Sequence, residues 1–92
     1  MGTDFSRLQS LLEKEKYPLE YTLKLIGRDS NPFRDGIAAF EGAYPNIGQA
    51  TRRSTVDTRH VALTYRFTAV SAQELVSMYQ AVERIPDLVV ML

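Results

Sequence analysis

Eight residues, Val61-Ala62-Leu63-Thr64-Tyr65-Arg66-Phe67-Thr68, alternate without a break. Val61, Leu63, Tyr65 and Phe67 share one side; Ala62, Thr64, Arg66 and Thr68 share the other. A period of two over this length describes a half-buried strand and does not fit a helix, whose apolar positions recur every three or four residues. It commits the chain to layers: one sheet face is covered, and the other meets water or a partner. Leu19 to Ile26 reads the same way. Leu19, Tyr21, Leu23 and Leu25 lie on one side, with Glu20, Thr22, Lys24 and Ile26 on the other.

Helical spacing fills the intervals. Phe5, Leu8, Leu11 and Leu12 predict a short amphipathic helix over residues 4–15, capped by Thr3 or Asp4 and stopped by Tyr17-Pro18. Gly27 is expected to end the first strand. Phe33, Ile37 and Phe40 then predict a helix to about Tyr44, with Ser30 or Asn31 as cap and Pro32 in its first turn. Ile47 to Thr55 reads as a polar, arginine-rich edge strand, followed by a turn through Asp57. Ser71 with Glu74 forms a capping-box pattern. Leu75, Met78, Tyr79 and Val82 mark the buried face of the helix that follows. After Pro86-Asp87, Leu88-Val89-Val90-Met91-Leu92 closes the chain as a strand apolar on both sides.

The order is therefore helix, then β-α-β-β-α-β. Right-handed crossovers place the two crossover helices on one face, which gives an α+β, ferredoxin-like sandwich with a four-stranded antiparallel sheet. The first and third strands are expected at its centre. Ninety-two residues make one domain, residues 1–92. A chain of this size buries roughly 60–65% of its unfolded surface, so association would help it. The two-sided apolar strand needs cover on the open face, from the N-terminal helix or from another subunit.

The stretch LLEKEKYPLEYTLKLIG, then HVALTYRFTA and the terminal DLVVML, resembles the YbeD-like family of small bacterial proteins. The resemblance spans nearly the whole chain. It implies a ferredoxin-like fold similar to the ACT regulatory domains of amino-acid metabolism, and no catalytic residues, because that family's activity is uncharacterised. ACT domains commonly follow their first strand with a G-x-D-x-P-G-like effector loop. Gly27-Arg28-Asp29-Ser30-Asn31-Pro32 looks like that loop with one extra residue, and Phe33 stands where the pattern has glycine. The resemblance thus makes Arg28, Asp29, Ser30 and Asn31 candidates for a small-molecule effector.

Other chemistries find little support. Without Cys there is no disulfide and no thiolate metal site, which suits a reducing cytoplasm. One His and scattered carboxylates have no metal-loop spacing, so neither metal nor cofactor is expected. Ser54, Asp57 and His60 are close in sequence, but a triad is a matter of geometry. No apolar run approaches the roughly 20 residues of a membrane helix. Formal net charge is zero, so no global field draws nucleic acid. Tyr65 and Phe67 face the core, leaving no aromatic platform for bases. Arg52, Arg53, Arg59 and Arg66 remain as a local basic patch that invites weak phosphate contact. The expectation is a non-enzymatic regulatory or protein-interaction module, cytoplasmic and homodimeric, with metabolite sensing or weak RNA binding as alternatives.

Overall fold

The computed structural model describes residues 5–54 and 59–91. Its elements are α1 (Ser6–Leu12), β1 (Leu19–Arg28), α2 (Asn31–Ala43), β2 (Thr51–Ser54), β3 (His60–Ala69), α3 (Ala72–Glu83) and β4 (Leu88–Met91). The expected caps Thr3 and Asp4, the turn at Asp57 and the last residue, Leu92, lie outside the described residues.

The four strands form one sheet in the order β2-β3-β1-β4, with every neighbouring pair antiparallel. The two strongly alternating strands are central, as expected, and the architecture is consistent with a ferredoxin-like sandwich. Leu25 is paired with Leu63 and Leu23 with Tyr65, so the apolar sides of both strands coincide. Phe33, Ile37 and Phe40 of α2, with Leu75, Met78, Tyr79 and Val82 of α3, cover that side. Among the described residues, no polar or charged side chain is buried apart from tyrosines.

The helix starts follow from side-chain chemistry. Ser30 Oγ accepts from Phe33 N at 3.2 Å, and Ser71 Oγ accepts from Glu74 N at 3.1 Å, each satisfying a backbone donor of the first turn. Glu74 reaches back as expected, but its carboxylate accepts from Val70 N at 3.3 Å, not from the cap residue's own N–H.

Four details depart from the sequence expectations. Gly27 does not end β1. It sits inside the strand because the Phe33 ring lies directly on it, where an added Cβ would come within 2.2 Å of the ring. Ile47 belongs to a one-turn 3-10 helix, Pro45–Ile47, and is buried there; β2 begins only at Thr51. Gly48, at φ 75°, redirects the chain between the two through a backbone conformation that L side chains rarely adopt. Finally, α1 does not cover the open sheet face. It packs against α3 in the helical layer, where Phe5 and Leu12 join the core. A helix with one narrow apolar stripe buries it wherever an apolar surface remains, and α3 offers one.

Candidate functional site

Strand parity sorts the candidate residues. On β1, the even-numbered Glu20, Thr22, Lys24, Ile26 and Arg28 face away from the helices. Their β3 partners are Thr68, Arg66, Thr64, Ala62 and His60. Arg53 pairs with Ala62 and Thr51 with Thr64, so both lie on this open face. Arg52 pairs with the core residue Leu63 and therefore lies on the opposite, helical side.

The basic patch read from sequence thus divides into three. Arg53 and Arg66 meet on the open face, where with Lys24, Thr51, Ala62 and Thr64 they line a depression of about 460 Å³. Arg52 stands near Tyr65 on the other side of the sheet. Arg59 joins Arg28, Asp29, Ser30 and His60 around a second depression of about 430 Å³. Lys24 was absent from the expected patch. Its even-numbered phase was visible in the sequence, but its place beside Thr64 depends on the β1–β3 register.

The second depression brings three of the four expected effector residues together with Arg59 and His60. Asn31 is turned aside, its Oδ1 accepting from Arg34 Nη2 at 2.6 Å. Asp29 is committed to Arg34 Nη1 in an ion pair. The Ser30 hydroxyl donates to Asp87 Oδ2 at 2.6 Å, while the backbone N–H of Arg28 donates to Asp87 O at 3.0 Å. Phe33 is 1% exposed and packed on Gly27, so the space over the strand end that a glycine would leave open is filled.

Two tyrosine hydroxyls at the rim of the core complete the polar inventory. Tyr65 donates to Glu41 Oε2 at 2.8 Å, and Tyr79 shares a 2.6 Å hydrogen bond with Tyr21. Burial, reinforced by these bonds, pushes both Tyr65 and Tyr79 well above the usual phenol range. Both phenols therefore stay protonated across the neutral range. Ser54, paired with Val61, and His60, paired with Arg28, lie on opposite faces and cannot form one catalytic constellation. Among the described residues, no three His, Asp or Glu side chains approach closely enough to hold a metal, and no helix is long and apolar enough to cross a membrane.

Residues 13–92 match the model of a family described as "Protein of unknown function (DUF493)". The chain belongs to the DUF493 family. This is the family that includes the YbeD-like proteins, so the resemblance read from the LLEKEKYPLEYTLKLIG stretch and the C-terminal strand holds. The match begins at Glu13 and covers every strand, together with α2 and α3; α1 precedes it. No curated protein and no solved structure matched the chain significantly.

Proposed function

We propose that this DUF493 chain is a small, non-enzymatic regulatory or protein-interaction module that acts in the cytoplasm as a homodimer, pairing through the outer edge of β4. The supporting observation is the contrast between the two edges of the sheet. β2 is an edge of four exposed residues, Thr51-Arg52-Arg53-Ser54. Charge on a short strand is a common protection against strand addition. β4 is the other edge, Leu88-Val89-Val90-Met91, with no charge and no proline. Val89 is 55% exposed and Val90 37%. An uncharged apolar edge of this kind favours addition of another strand.

A second copy satisfies that edge symmetrically. Two β4 strands running antiparallel across a two-fold axis would extend the sheet from four strands to eight, each Val89 meeting the same surface of the partner. Sedimentation velocity across the micromolar range tests this. The expected result is a dimer that Val89→Lys converts to monomer with unchanged secondary structure. A strict monomer at high micromolar concentration would remove the reading.

One observation favours a second reading, a metabolite sensor. Arg28, Asp29 and Ser30 gather with Arg59 and His60 around one depression, which offers charges of both signs to an amino-acid-like ligand. A thermal-shift screen of amino acids and small metabolites is the test; no rise in Tm with any of them sinks it. RNA binding through a single arginine hairpin has lost its main support, because Arg52 and Arg53 point to opposite faces.

A further inference from the structure

The depression on the open sheet face holds three cations and no carboxylate. Lys24 and Thr64 are direct cross-strand partners, as are Thr64 and Thr51. Side chains in such positions start about 5 Å apart. Arg66 follows Thr64 by two residues on the same strand, about 7 Å along it. Arg53 sits diagonally from Thr64, next to Ala62. The three charges therefore converge on Thr64. Among the described residues, no carboxylate lies in an ion pair with Lys24, Arg53 or Arg66; Asp29 is taken by Arg34. Glu20, diagonal to Arg66 on this face, borders the depression without lining it, and accepts from Thr68 Oγ1 at 3.3 Å.

We infer that this depression is a binding site for the phosphoryl group of a small phosphorylated compound. Two guanidinium forks and one ammonium match the charge and the several oxygen acceptors of a phosphate or diphosphate, where a single carboxylate would leave most donors unused. The Thr51 and Thr64 hydroxyls supply further donors. About 460 Å³ is within the range of small-molecule sites. Ala62, with Ile26 and Val90 beyond it on the same row, offers apolar sheet surface to the rest of the ligand. A nucleic-acid strand fits less well. The cations surround one point and do not track a backbone, and Tyr21, Tyr65 and Phe67 of the two central strands all lie on the core side, so none of these rings is available for stacking on this face. The site does not depend on pairing through β4 and stands or falls separately from it.

The experiment is a titration of the full ¹⁵N-labelled chain with inorganic pyrophosphate at fixed ionic strength, followed by NMR. Saturable shifts are expected at Thr51, Ala62 and Thr64. Arg66→Gln and Lys24→Gln should each weaken binding about tenfold or more, the loss of one charge-assisted contact. Arg52→Gln, on the same edge strand but the opposite face, should leave it unchanged. Failure to saturate overturns the inference, as does equal weakening by Arg52→Gln. A decamer of single-stranded uridylate that binds far more tightly than pyrophosphate also overturns it in favour of a polyanion track. Sedimentation of the same samples reports self-association independently.

Discussion

Gly27→Ala is the most informative single substitution in this fold. The added methyl would lie 2.2 Å from Phe33 Cε1 and 2.6 Å from both Cδ1 and Cζ. Contacts that short do not occur, so the ring or the strand must move. The ring is 1% exposed and begins α2, and the strand is pinned on both sides by β3 and β4. Overpacking a rigid site costs about 1–3 kcal/mol, and more where nothing can yield. Replacing Gly in a strand recovers about 0.5–1 kcal/mol of chain entropy. A net loss of about 2 kcal/mol is expected, which for a domain of this size lowers Tm by about 8–16 °C. Thermal and urea unfolding followed by circular dichroism would measure it. The decisive comparison uses Phe33→Val, which removes all three clashing atoms and leaves a cavity. In that background Gly27→Ala should be neutral or stabilising, because the methyl enters vacated space. An equal loss in both backgrounds would refute the steric account, and an unchanged Tm in the wild-type background would refute it outright.

Gly48→Ala should cost about 1–2 kcal/mol from backbone strain alone, since φ is 75° and no atom lies within 4 Å of the new methyl; urea unfolding would read it. Gly42→Ala, helical and equally unobstructed, should instead stabilise by about 0.8–1 kcal/mol, and a loss there would contradict the open surroundings. Ser71→Ala removes the α3 cap and should cost about 1 kcal/mol, with Ser71→Asp recovering most of it in the same assay. Tyr65 and Tyr79 have raised folded-state values, so they remain protonated when the unfolded chain loses its phenol protons. Their contribution is therefore full below the ordinary value of 10.0 and declines as pH rises through it toward the folded values. Equilibrium unfolding between pH 8 and about 11.5 should show that decline reduced in a Tyr65→Phe, Tyr79→Phe double variant; a decline of the same size in the variant would refute the assignment.

The sheet was legible because β1 and β3 carry period-two patterns long enough to fix both their type and their central position. What escaped is non-local. Gly27 looks like a strand terminator until Phe33, six residues later, is folded onto it. Ile47 looks like the first residue of a strand because it is apolar and comes just after Pro45-Asn46, yet it fills the core from a 3-10 turn, and Gly48 delays the edge strand to Thr51. The apolar stripe of α1 announces burial but not the layer in which it is buried. For the candidate site the limit is register. Arg52 and Arg53 are neighbours in sequence and opposites in space, which parity alone reveals once the strand is accepted. That Lys24 joins Arg53 and Arg66 requires knowing which residue of β1 lies opposite Thr64, and no local signal carries that. That Phe33 stands where an effector loop would have glycine is visible in the sequence, but that its ring would seat on Gly27 is not.

The position of β1 also has a consequence for how the molecule is made. This strand pairs only with β3 and β4, never with a sequence neighbour. During synthesis, α1, β1 and α2 emerge with no strand to receive them, and the sheet cannot begin until β3 appears. Even then one flank of β1 stays open until residues 88–91 arrive, ten residues long and apolar on one side. A nascent or prematurely released chain therefore offers its own most adhesive strand to whatever is nearby, and the four residues of β4 are what remove it from reach.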